Sequence, residues 1–195
     1  MRQVEAAVIG VGWIGGLRAE TLSRTALVDK LHLCDIRADR LAEVKALCKP
    51  ATATLDYHDI INNPKISVVY VSTTPEANHY PIARDCLKAG KNVMLEKPIA
   101  LELWEADELI HLAKRGGLKF TIGYSQRFNT KIAYAKKKIT DGTLGKVVSV
   151  LVSRHLSRSL GKDVELVIEG GETEMDKIIS ELGEETPKKR RKRAR

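Results

Sequence analysis

The sequence predicts an α/β fold built on a doubly wound parallel sheet, followed by an incomplete second α/β segment. Two observations carry this. Through the first 123 residues, apolar runs of strand length alternate with stretches of helical period. The first junction between them is a glycine-rich turn, and the second run ends in an acid.

Val4 to Ile9 is a short apolar run closed by Gly10, the pattern of a strand buried on both faces. Leu31 to Asp35 is the second such run. Ala51 to Thr54 is a weaker one. Ser67 to Ser72 is β-branched and is followed by Thr73-Thr74-Pro75. Asn92 to Glu96 and Leu118 to Ile122 complete the set. Helical spacing links Leu41, Val44, Leu47 and Cys48, with Pro50 beyond. It links Ile82, Ala83, Cys86 and Leu87, with Gly90 as a stop. A third stripe joins Leu103, Ala106, Leu109, Ile110 and Ala113, ending in Lys114-Arg115-Gly116-Gly117, where basic residues complement the helix dipole. Beyond 123 the pattern weakens. A helix over 132–139, strands over 146–152 and 164–168, and a helix over 173–182 are expected.

Composition narrows the class. The 195 residues are 43% hydrophobic and 30% charged, which excludes a mainly disordered or fibrous chain. No run reaches the roughly 18 apolar residues of a membrane helix, and no signal-peptide pattern opens the chain. Cys34, Cys48 and Cys86 form no Cys-x-x-Cys pair, which fits a reducing, cytoplasmic setting. The net charge of +8 is local. Seven of the 33 basic residues lie in 187–195, leaving 26 against 25 acidic ones. The tail reads as a solvated arm, and any nucleic-acid binding is expected through it alone. It has no aromatic residue to stack on bases.

Gly10-Val11-Gly12-Trp13-Ile14-Gly15 matches G-x-G-x-x-G, after a strand and before a helix. Gly10 allows the tight turn, Gly12 the close approach of a pyrophosphate, and Gly15 close helix–strand packing. The free N–H groups at the helix start then face phosphate. Asp35, twenty residues after Gly15, can accept from an adenosine ribose and repel a 2′-phosphate, which favours NAD. Arg37 keeps NADP open, since a guanidinium can pair that phosphate or stack on adenine. A plain turn with Asp35 as a helix cap is the alternative. Glu96-Lys97-Pro98 follows a strand, at the sheet edge where ligands bind. Lys97 could handle a proton as hydride moves; a surface Glu-Lys pair before a turn is the alternative.

Residues 4 to about 152 resemble the glucose–fructose oxidoreductase/inositol 2-dehydrogenase (Gfo/Idh/MocA) family. The likeness runs through Val8–Gly15, Cys34–Arg37, Ser72–His79, Gly90–Pro98 and Gly123–Asn129. It implies a Rossmann domain over 1–122, with Ser72, Thr73, Thr74, Pro75 and His79 along the cofactor. It implies Lys97 as the catalytic residue beside the nicotinamide, next to Glu96, with Arg127 and Asn129 lining the cleft between domains. Sugars, inositols and other polyols are the implied substrates, and oligomers are possible partners. Family members continue into a sheet domain that supplies an Asp-x-x-x-His pair. None occurs after Val150 here. Residues 123–155 therefore read as the start of a truncated substrate domain, 156–186 as an atypical β-α segment and 187–195 as the basic tail. Residues 156–177 resemble a short segment of chemotaxis histidine kinases, without the ATP-binding box. A composite chain that binds NAD without catalysis is the alternative to an oxidoreductase.

Overall fold

The computed structural model describes residues 3–149, and residues 3–143 belong to one compact unit. Six strands form one sheet: β1 (Val4–Ile9), β2 (Val28–Cys34), β3 (Thr52–Thr54), β4 (Ile66–Val71), β5 (Asn92–Leu95) and β6 (Phe120–Ile122). Their order across the sheet is β3-β2-β1-β4-β5-β6, and every neighbouring pair is parallel. This is the doubly wound order expected from the alternation, with β1 and β4 adjacent at the point where the winding reverses.

Six α-helices are present among the described residues: α1 (Trp13–Ser23), α2 (Ala38–Cys48), α3 (Tyr57–Ile61), α4 (His79–Lys88), α5 (Leu103–Arg115) and α6 (Thr130–Thr140). Side-chain alternation along the strands makes two cores. Val8, Leu33 and Tyr70 pack on one face with Val11 and Ala19, and with Leu41 and Val44 of α2. Ile9, Val69, Val71, Val93 and Leu95 pack on the other, with Ala83 and Cys86 of α4 and Leu109 and Ala113 of α5. Most of each apolar stripe read from the sequence is the face its helix buries, but Leu47, Leu103 and Ile110, counted in those stripes, are exposed: they stand at the edge or end of the helix face, where the sheet no longer covers them.

Local chemistry sets the helix starts. Asp56 caps α3, its carboxylate accepting from the His58 N–H at 2.9 Å. Glu102 and Glu105 form a capping box on α5. The short helix α3 had no signal in the apolar spacing, because five residues complete little more than one turn. The strand expected over 146–152 is absent from its described part: residues 146–149 form no strand. Residues 150–152 lie outside the described residues, as do the elements expected over 164–182, the kinase-like stretch and the basic tail.

Candidate functional site

Strand register lines up one edge of the sheet. Ile9 pairs with Cys34 on one side and with Val71 on the other; Val71 pairs with Leu95, and Leu95 with Ile122. The residues that follow these strand ends, Gly10, Asp35, Ser72, Glu96 and Gly123, thus stand in a row at the carboxyl edge. A cleft of about 380 Å³ opens there. Of the residues singled out in the sequence, Gly10, Gly12, Trp13, Asp35, Arg37, Ser72, Thr73 and Thr74 line it.

The glycine turn divides its work among its residues. Gly10 has φ +84°, and a Cβ there would lie 2.4 Å from the Ser72 carbonyl oxygen. A Cβ on Gly15 would lie 1.8 Å from the Gly10 carbonyl oxygen, so this glycine seats α1 against the end of β1. Gly12 is different: a Cβ there would meet nothing within 4 Å. Its missing side chain leaves space on the cleft side. Gly12 also caps α1, so the first N–H groups of that helix stand at the same place.

Asp35 is nearly buried at the end of β2. One carboxylate oxygen accepts from the Val11 N–H at 2.8 Å, the other from the Arg37 N–H at 2.9 Å. The carboxylate therefore ties the glycine turn to β2. Each oxygen keeps a further lone pair for a ligand. Arg37 is exposed beside it. Trp13 and Ile36 are 74% and 83% exposed, an apolar lip on the cleft.

Thr73 Oγ1 is buried without a hydrogen-bond partner. A buried hydroxyl in a cleft wall that lacks a protein partner is a group a ligand can satisfy. Tyr57 also lines the cleft, its hydroxyl donating to Asp85 at 2.9 Å. Burial and that carboxylate push its phenol up to about 12. Cys34, at the cleft floor, is pushed up to about 12 by burial and by the Asp35 charge, so it stays a thiol.

Other predicted residues stand outside the cleft wall. The buried His79 ring bridges two carbonyls, with Nδ1 2.7 Å from Pro98 O and Nε2 3.0 Å from Thr73 O. It ties the loop after β4 to the loop after β5. The Glu96 carboxylate accepts from the Tyr70 hydroxyl and, at 3.2 Å, from the Lys97 N–H, with Arg18 4.0 Å away. Burial and the Glu96 hydrogen bond push the Tyr70 phenol up to about 12. Glu96 thus faces Tyr70 and α1, while the Lys97 side chain is exposed. Pro75 is exposed beyond Thr74, and Ile14 is half-buried in the first turn of α1. Arg127 lies on a one-turn helix, Ser125–Phe128, and is exposed.

Six contributors were not singled out as site residues: Ile9, Cys34, Ile36, Tyr57 and Asn78 in the cleft wall, and Arg40 behind the glycine turn. Ile9 lies in the first strand read from the sequence, and Cys34, Ile36 and Asn78 lie inside the Cys34–Arg37 and Ser72–His79 stretches, which would have been the signal for them; Tyr57 and Arg40 had none.

A parallel sheet in this order, with a glycine turn at the reversal point and an acid ending the neighbouring strand, defines a dinucleotide-binding domain of the Rossmann class. The Gfo/Idh/MocA family profile, described as an oxidoreductase family with an NAD-binding Rossmann fold, matches residues 4–124. The chain belongs to that family.

An inositol 2-dehydrogenase/D-chiro-inositol 3-dehydrogenase of Lactiplantibacillus plantarum is 32% identical over 160 residues, covering 80% of this chain and 45% of that protein. A myo-inositol 2-dehydrogenase of Thermotoga maritima is 32% identical over 139 residues, 71% of this chain and 41% of the relative. The crystal structure of myo-inositol 2-dehydrogenase from Lactobacillus plantarum superposes with a TM-score of 0.70 at 28% identity, covering 75% of this chain and 44% of that one. The chain thus spans less than half the length of these relatives. No helix among the described residues is long and apolar enough to cross a membrane.

Proposed function

We propose that this chain is the nucleotide-binding half of an NAD-dependent polyol dehydrogenase acting on inositol-like substrates. The observation that carries the reading is the pairing of open space at Gly12 with the nearly buried Asp35 carboxylate, joined through the Val11 N–H. Relatives that are inositol dehydrogenases support the substrate class.

In this reading Gly10, Gly12, Trp13, Ile14 and Gly15 give the pyrophosphate a backbone cradle at the start of α1. Asp35 accepts from the adenosine ribose, and Arg37 covers the adenine side. Ser72, Thr73, Thr74 and Pro75 border the second ribose and the nicotinamide, with the free Thr73 hydroxyl available to hydrogen-bond. His79 and Glu96 hold the loops that carry these groups. Lys97 donates or accepts the proton of the substrate oxygen, and Arg127 faces the substrate side. NAD, when bound, supplies the hydride acceptor. Asp35 favours NAD because a 2′-phosphate would bring two like charges together.

Lys97 is exposed, and that favours a second statement: the 195-residue chain binds dinucleotide but turns over polyols poorly. Orienting a substrate against the cofactor contributes roughly 7–11 kcal/mol to such reactions. One exposed lysine cannot fix a polyol, and water weakens its electrostatic effect. The test is a fluorescence titration with NADH and NADPH, followed by a polyol screen with NAD present. Tighter binding of NADH than NADPH is expected, with little NAD reduction. No binding of either would overturn the cofactor reading. Robust NAD reduction by an inositol, lost in Lys97→Ala, would overturn the claim of poor turnover.

A further inference from the structure

We infer that Arg40 is a positioning residue of the dinucleotide site, aiming the N–H groups of the glycine turn and adding its charge behind the diphosphate. The inference rests on the NAD-binding reading above. Arg40 lies in the first turn of α2, yet its guanidinium reaches the centre of the glycine turn. Nε donates to the Val11 carbonyl at 2.8 Å, and Nη2 to the Gly12 carbonyl at 3.2 Å. The arginine side chain is 22% exposed.

Peptide geometry gives these two bonds a consequence on the other side of the chain. In a planar trans peptide the N–H points opposite to the C=O of the preceding residue. Holding the Val11 carbonyl toward Arg40 therefore turns the Gly12 N–H the other way; the Gly12 carbonyl, which Arg40 shares with the Gly16 N–H at 2.8 Å, sends the Trp13 N–H the other way too. Gly12 and Trp13 are both cleft residues, and Gly12 has open space beside it. The guanidinium also polarises both peptides in the sense that strengthens their N–H donors. It adds a positive charge that the first turn of α1 does not itself contain.

Two neighbours fit this role. A Cβ on Gly16 would stand 2.6 Å from Arg40 Nη2, so glycine at 16 leaves room for the guanidinium. Glu43, one turn along α2 and largely exposed, accepts from Nη1 and partly offsets the charge. If its charge acts on the diphosphate, removing Glu43 strengthens binding.

The test uses the full chain, with ADP and adenosine as competitors of NADH fluorescence. Arg40→Met should weaken ADP roughly tenfold, the order one charge gives across a part-buried separation. Adenosine, which has no phosphate, should change less than about twofold. Arg40→Lys should fall between, since it keeps the charge but loses the fork of donors. Glu43→Gln should tighten ADP by about twofold, an effect that added salt removes. Equal weakening of ADP and adenosine in Arg40→Met would overturn the inference. So would an unchanged ADP affinity in Glu43→Gln, which decides the matter if Arg40→Met does not fold. Failure of the parent to bind NADH or ADP would instead overturn the dinucleotide reading on which the inference stands.

Discussion

The two halves of the carboxyl edge are built differently. Around β1 and β2 the polar groups are interlocked: Asp35 accepts from Val11 and Arg37, and Arg40 holds the Val11 and Gly12 carbonyls. Around β4 and β5 the supports are equally firm, with His79 bridging two loops and Glu96 engaged by Tyr70. The group that would do chemistry there, Lys97, nevertheless stands exposed. One half is preorganised for a ligand by its own backbone. The other leaves exposed the side chain proposed to react, Lys97, with no covering surface among the described residues. On the proposed reading a cofactor docks on the first without the second, through backbone N–H groups for its diphosphate and one carboxylate for its ribose.

The largest expected effect breaks the first half outright. Gly15→Ala forces a Cβ to within 1.8 Å of the Gly10 carbonyl oxygen, and should cost about 4 kcal/mol or more of stability. Urea melting would show it, and a parent-like midpoint would mean that α1 can shift freely.

Gly12→Leu separates binding from folding. Nothing lies within 4 Å of its Cβ, so stability should change by only about 1 kcal/mol, the cost of a poorer helix cap. NADH affinity should nonetheless fall more than about tenfold, because the side chain occupies the pyrophosphate approach. Unchanged affinity would move the diphosphate away from this turn.

Asp35→Ala touches both properties. Its loss leaves the Val11 N–H without its partner and should cost about 1–3 kcal/mol. The ratio of NADPH to NADH affinity should rise. An unchanged ratio would remove Asp35 as the discriminating group.

Lys97→Ala sharpens the contrast from the other side. Stability should stay within about 0.5 kcal/mol, as for other exposed substitutions. A large drop in melting temperature would show that the lysine is structural.

The smallest effect lies at the amino end of the sheet, far from the cleft. Burial pushes the Glu5 carboxyl up, but hydrogen bonds from Lys30 and His32 outweigh it and hold it below 4.5. A lowered folded value means that its stabilisation is present above pH 4.5 and lost as the pH falls through that lowered value. Glu5→Gln should flatten the acid limb of the stability profile and leave NADH affinity unchanged.

The periodicity reading followed physical signals of unequal strength. The strands read at Val4–Ile9 and Ser67–Ser72 were legible because their inner stretches, Ala6–Ile9 and Val69–Val71, are buried and wholly apolar. Residues 146–149 look equally β-branched but form no strand, since propensity without a paired neighbour does not make a sheet. The glycine turn was legible because each glycine answers a local steric demand. Tyr57 and Arg40 were not, because their roles depend on partners 28 or more residues away.

By itself the sequence determined the sheet-and-helix alternation, the glycine turn and the acid that ends β2. These are set by short-range burial period and by sterics within a few residues. The tertiary structure decided which supports stand behind them. It turned Glu96 toward Tyr70 and Arg18, placed His79 between two loops and brought Arg40 to the glycine turn. Such contacts form only after parallel pairing brings strand ends into one row, and the bonds from Arg40 to Val11, Tyr70 to Glu96 and His79 to Pro98 join residues 19 or more positions apart, beyond the reach of any local spacing.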